Sequence, residues 1–271
     1  MASTTSGRRA AGVAITLGLG ALVSGCTSLR HKSTDELWSE SDRHFDEGRY
    51  ADARPYYDEL LRRQEEDAKA RLMRGVAHER TGATGDALVD YQRVGEQGDA
   101  RGLLYRADLN LRMGDLAGAE ADLTRLRDLG LGGREVVMHL TLVGILRQKQ
   151  GQHLLAAQSF ERATRDGASF TDPVTARCVR DAHYNAAQSY YRLGEFARAY
   201  EHMLAYAGRA GQEGAVSGDD AYLLGLLAYL SGDFDAAEAH LARATPALVA
   251  EGAQALDDPS FGASARREAV Q

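Results

Sequence analysis

Residues 184–204 read YNAAQSYYRLGEFARAYEHML. Two amphipathic helical stretches meet at Gly194, which stands past the end of the first and ahead of the second. A residue in that place takes the left-handed backbone conformation, which glycine adopts without steric cost. Ala187 lies seven residues before the glycine and Ala199 five after it, so small groups meet where two antiparallel helices would cross. Met203, one turn beyond Ala199, is large enough to fill the gap towards a neighbouring pair.

The same pattern recurs along the chain. Gly48, Gly82, Gly114, Gly151, Gly194 and Gly232 are spaced 34, 32, 37, 43 and 38 residues apart. The residue seven before each is Ser41, Gly75, Ala107, Gly144, Ala187 or Gly225, and the residue five after is always alanine: Ala53, Ala87, Ala119, Ala156, Ala199 and Ala237. Four further on stand Tyr57, Tyr91, Leu123, Phe160, Met203 and Leu241. One such helix pair cannot bury its apolar face alone, and stacking of neighbours supplies the core.

This spacing resembles the tetratricopeptide repeat, a helix-turn-helix unit of about 34 residues with small residues at its eighth and twentieth positions and a bulky one at its twenty-fourth. The resemblance implies an all-α fold: a solenoid of about six repeats forming a right-handed superhelix. Counted back from the alanines, the repeats fall near 34–67, 68–99, 100–133, 137–170, 180–213 and 218–250. Repeat one departs at its seventh position, where Glu40 replaces the usual aliphatic residue, as an end-capping repeat would. Residues 166–174, with Gly167 and Pro173, read as a loop or slight break between two halves of three repeats. Residues 251–271 carry Pro259, Ser260 and Gly262 with no sustained period, which predicts a mobile tail.

The first 25 residues are an address. Arg8 and Arg9 precede an apolar run at 10–23, and Ser24-Gly25-Cys26 follow, the layout of a signal peptide. That run would rise only about 21 Å as a helix, short of the ~30 Å hydrocarbon core of a bilayer. Leu22-Val23-Ser24-Gly25-Cys26 resembles a bacterial lipobox; an ordinary secretory signal with a chance cysteine is the alternative. The resemblance implies that Cys26 becomes the first mature residue and carries a diacylglyceryl group and an N-acyl chain such as palmitate, with residues 26–33 as a linker. Several acyl chains together make a stable anchor. Thr27 is not the Asp that typically signals inner-membrane retention, so the resemblance places the protein on the periplasmic face of the outer membrane, or outside the plasma membrane in a monoderm cell.

Composition excludes several classes. The chain of 271 residues is 44% apolar and 26% charged, ordinary for a folded protein. Its net charge of −7, more negative once Arg8 and Arg9 leave with the leader, argues against nucleic-acid binding. None of the lysines, Lys32, Lys69 and Lys149, follows a glycine-rich phosphate loop. Two cysteines, Cys26 and Cys178, make no disulfide framework. In the repeat frame His44 and His78 share the eleventh position, and His202 and His240 the twenty-third, which points to packing or surface roles rather than a metal site. The acidic pairs Asp219-Asp220 and Asp257-Asp258 fit helix N-termini or solvated ends. No catalytic constellation, metal site or cofactor other than the covalent lipid is expected.

In the tetratricopeptide family, positions two, five, nine and twelve of each first helix face the groove. Carried over, this implies Leu72 and Val76 in repeat two, Leu104 and Asp108 in repeat three, Tyr184, Gln188 and Tyr191 in repeat five, and Tyr222 in repeat six. Tyrosines offer contact area at small entropic cost, and Asn185 and Gln188 can hydrogen-bond an extended peptide. The basic clamp of chaperone-binding members is not reproduced, since Thr141 and Ile145 hold its Lys and Asn positions. Six repeats directly after a lipobox resemble the pilotin lipoproteins that assemble the type IV pilus secretin. The implied partner is a secretin or other envelope subunit. Barrel-assembly or peptidoglycan-enzyme adaptor lipoproteins are the alternative, and a hydrolase the remote one.

Overall fold

The computed structural model describes residues 29–213 and 217–244. Among them the chain forms twelve helices and no strand, grouped in two compact units that divide between Gln97 and Gly98. Unit one holds α1 (Thr34–Asp46), α2 (Tyr50–Arg63), α3 (Ala68–Arg80) and α4 (Thr84–Glu96). Unit two holds α5 (Ala100–Met113), α6 (Leu116–Asp128), α7 (Gly133–Lys149) and α8 (His153–Gly167). It continues with α9 (Pro173–Arg192), α10 (Phe196–Glu213), α11 (Gly218–Ser231) and α12 (Phe234–Leu241). The helices pair in sequence, so each unit is a short stack of helix hairpins. Cys26 with its leader, the tail 251–271 and the Asp257-Asp258 pair lie outside the described residues.

Each hairpin closes the same way. All six turn glycines have positive φ, from 72° at Gly48 to 87° at Gly232. In every case the residue after the glycine donates its N–H five residues back, as Glu195 does to the Tyr190 carbonyl at 3.0 Å and Ala83 to His78 at 2.8 Å. This satisfies carbonyls that a helix end otherwise leaves open. A side chain would have room at these glycines, since nothing lies within 4 Å of where a Cβ would stand; the demand is on the backbone.

The second set of glycines obeys the opposite rule. A Cβ on Gly75 would lie 2.7 Å from Tyr91, on Gly144 2.5 Å from Phe160, and on Gly225 2.6 Å from Leu241. Tyr91, Phe160 and Leu241 therefore cover the small residue of their own hairpin, and Phe160 and Met203 also pack towards the next one, in buried clusters with Val179 and Ala182 and with Leu224 and Leu227. Five of the six first helices start on an Asp or Ser whose side chain accepts an N–H of the first turn: Ser33, Asp67, Asp99, Asp172 and Ser217.

Two first helices begin earlier than the alanine count gives: α7 at Gly133 instead of Val137, and α9 at Pro173 instead of Arg180. Asp172 caps α9 by accepting from the Thr175 N–H at 3.0 Å, and Pro173 has its φ fixed for a first turn. Only residues 168–172 connect α8 to α9. Gly167 is no loop glycine but the closest approach of that crossing, pressed by Val179 and Val137. The core passes through this junction, because Val137, Phe160, Val179 and Ala182 form one buried cluster. The division of the chain lies between repeats two and three, not there.

A charged clamp ties the two helices together within the hairpin of repeat two and another does so within that of repeat three. Arg74 on α3 donates to both oxygens of Asp90 on α4, at 2.9 and 2.6 Å. Arg106 on α5 makes the same fork to Asp122 on α6, with Nε to Oδ2 at 2.8 Å. Asp90 and Asp122 are each only 2% exposed. Arg74 and Arg106 occupy the position that Glu40 holds in repeat one, so Glu40, bonded to Lys32 at 2.6 Å, is one of three charged residues there and not an exception.

The chain enters the fold early. Leu29 is 8% exposed and packs with Leu60 and Leu61 of α2, while Arg63 donates to the Leu29 carbonyl at 3.1 Å.

Candidate functional site

Unit two carries two adjoining cavities. The first, of about 420 Å³, is floored by Met138, Leu142 and Ile145 of α7 and walled by α5, α9 and α10. The second, of about 850 Å³, lies among α7, α9, α10 and α11. Ile145, Tyr184 and Asn185 line both, so the two form one trough. A solenoid yields such a trough because successive first helices present the same positions to one side.

The trough residues are held in place. Tyr184 tilts against Tyr206 with ring centroids 5.2 Å apart. Asn185 donates to the Asp181 carbonyl at 2.8 Å, and Gln148 of α7 donates to Gln188 of α9 at 3.2 Å. Tyr191 stays 43% exposed beside Phe196. Asp108 and Asp181 edge the first cavity, whereas Lys149 and Arg192 edge the second.

Six of the implied groove residues, Leu104, Asp108, Tyr184, Asn185, Gln188 and Tyr191, line this trough, with Leu104 fully buried in its wall. The other three do not line it. Leu72 and Val76 sit on α3 in unit one, only 5% and 9% exposed, and Tyr222 is half-buried on α11 outside both cavities. Repeat counting missed Tyr105, Leu142, Tyr206 and Cys178, which also line the first cavity. Cys178 sits on the early turns of α9, and Asp172-Pro173 was the signal for those turns. Burial, then the carboxylates of Asp181, Asp108 and Asp172, push its thiol up to about 11, above the ordinary thiol value.

A second polar cluster joins α8, α9 and α10. Glu161 accepts from the Tyr190 hydroxyl at 2.7 Å and from Arg198 at 2.8 Å, and the Arg198 guanidinium lies 4.2 Å over the Tyr190 ring. His202 stacks on Tyr190 and places its Nδ1 3.1 Å from that of His183. One imidazole donates and the other accepts, so both cannot be cationic. Burial, reinforced by His202, brings His183 down to about 4. Among the described residues no three His, Cys, Asp or Glu side chains converge as metal ligands, and no helix is long and apolar enough to cross a membrane.

A tetratricopeptide-repeat profile matches residues 39–99. No curated protein gives a significant sequence match. Among solved structures, PilW, described as a widely conserved type IV pilus biogenesis factor, superposes with a TM-score of 0.62 at 17% identity, over 84% of this chain and 94% of its own. PilF of Pseudomonas aeruginosa gives 0.61 at 16% identity, over 80% and 90%. A chain of the APC/C hetero-tetramer Cut9–Hcn1 gives 0.61 at 13% identity, over 83% of this chain but only 46% of that one, so this protein spans less than half its length. At such identities the likeness is one of fold. With the glycine turns and paired helices, it makes the described chain a tetratricopeptide-repeat fold.

Proposed function

We propose that this protein is a non-enzymatic scaffold, lipidated at Cys26 and held at the periplasmic face of a bacterial outer membrane, that grips a protein partner in the trough of unit two. The observation that carries the reading is the trough itself. Tyr184, Asn185 and Gln188 place aromatic and amide groups along a channel with an apolar floor, and that chemistry suits an extended peptide. The lipobox-like run ending at Cys26 supports the anchor. A pilotin-like role in type IV pilus secretin assembly is the specific form of the proposal, supported by the likeness in fold to PilF and PilW over nine-tenths of their lengths.

The test compares wild type with Cys26→Ala in fractionated cells, with a photo-crosslinking amino acid in place of Ile145. Wild type should sediment with the outer membrane, Cys26→Ala should be released, and the crosslinked product should be a secretin. Release of neither form, or of both, overturns the anchor. A different envelope subunit on the crosslink keeps the scaffold and removes the pilotin role.

A further inference from the structure

The charges along the trough are unequally engaged. At the first cavity Arg112 stands on Asp108 at 3.1 Å and Arg180 beside Asp181 at 3.5 Å. The second cavity has no Asp or Glu among its lining residues, and its cations Lys149 and Arg192 are exposed, with no carboxylate paired to either among the described residues. The repeat frame gives the cause. Arg112, Lys149 and Arg192 each stand two residues before a turn glycine, and the residue one helical turn earlier is Asp108 for the first, Ile145 for the second and Gln188 for the third. Repeats four and five thus keep the cation of repeat three without its carboxylate, and both cations edge one cavity. His153, on the same cavity, holds a buried Nδ1 that meets no hydrogen-bond partner among the described residues.

We propose that the second cavity takes an extended partner segment in which a Glu or Asp side chain pairs with Lys149 and Arg192, while an apolar side chain two residues away packs on Met203, Leu226 and Leu227. This rests on the trough being the binding face. Charge complementarity supplies the argument: a carboxylate gains both cations without displacing an internal partner, whereas a lysine or arginine in its place would be repelled by both. Residues two apart in an extended chain face the same wall, about 7 Å from one another, so the acidic and apolar groups reach the cavity together. The carboxylate belongs to a side chain and not to a chain end, because Ile145, Tyr184 and Asn185 line both cavities and lead the segment onward into the first. The site is not the clamp of chaperone-binding members, whose basic and amide positions are Thr141 and Ile145 here.

The probe is a set of peptides on one Gly/Ser backbone with blocked ends and a neutral dye, carrying Glu-Ser-Leu, Gln-Ser-Leu, Lys-Ser-Leu or Glu-Ser-Ser at the centre. They are titrated by anisotropy against the membrane-extracted protein in non-ionic detergent. Glu-Ser-Leu should bind about fivefold or more tightly than each of the others at low salt, and its lead over Gln-Ser-Leu should shrink as salt is added, because exposed ion pairs are modest and screened. Lys149→Gln with Arg192→Gln should remove that lead, and Lys149→Glu with Arg192→Glu should pass it to Lys-Ser-Leu. Both side chains are exposed, and an unchanged circular-dichroism melt shows that the variants still fold. Equal binding of the Glu and Gln peptides, insensitivity to both double variants, or no binding of any peptide overturns the proposal; so does Gln-Ser-Leu with a free C-terminal carboxylate outbinding blocked Glu-Ser-Leu. The Ile145 crosslink separates this from failure of the scaffold reading: a captured segment without an acidic residue removes the ligand class alone, and no capture removes the trough.

Discussion

At single positions glycine answers two different demands. Gly194 has φ 76° with open space around it, so a methyl group is opposed only by the backbone, at roughly 1–2 kcal/mol. Gly144 has ordinary helical backbone, but its face is closed by the fully buried Phe160 ring. For Gly144→Ala the helix-propensity gain of about 1 kcal/mol is outweighed by overpacking of about 1–3 kcal/mol, because Phe160 has nowhere to swing. Repeat three holds the milder combination, Ala107 opposite Leu123. Gly144→Ala should therefore lower the melting temperature, and adding Phe160→Leu should recover part of the loss. A double-mutant cycle showing no coupling between the two positions would reject the contact.

Between elements, the buried forks Arg74–Asp90 and Arg106–Asp122 lock the two helices of their hairpins. Removing the buried carboxylate breaks both bonds of the fork, so Asp122→Ala should cost about 3–5 kcal/mol in urea unfolding, whereas Arg106→Met with Asp122→Leu should be near neutral. Equal losses for the two would mean that the fork is not the source. These clamps also mark where sequence reading stopped. Six copies of the glycine and alanine spacing made the hairpins legible, because turn and crossing both restrict residue type. The forks were hidden, since an arginine and an aspartate sixteen residues apart look like surface charges until the helices pair. In the trough, the facing positions led to Tyr184 and Gln188. Leu72 and Val76 follow the same count yet are covered, because exposure depends on neighbouring helices that a single repeat does not describe. The early start of α9, and Cys178 with it, was lost by counting back from alanine instead of forward from Asp172.

Over the whole molecule, burial pushes five histidines below their ordinary value of 6.5: His78, His139, His183, His202 and His240. Between the folded and unfolded values the unfolded chain binds more protons, so their contribution is complete above about pH 6.5 and is lost as the pH falls. For His183 the loss continues to about 4. The melting temperature should thus fall steadily below pH 6.5, and His183→Gln should flatten that slope whatever it does to the value at neutral pH. An unchanged slope would mean that the imidazole pair is already solvated in the fold. The burial of Leu29 acts at the same scale. From Cys26 to Leu29 the chain is three residues long, a reach of at most about 11 Å. A lipid on Cys26 would then be a mooring instead of a leash: unit one would lie against the headgroups, and a pull on the membrane would load the Arg63–Leu29 bond before any slack was taken up.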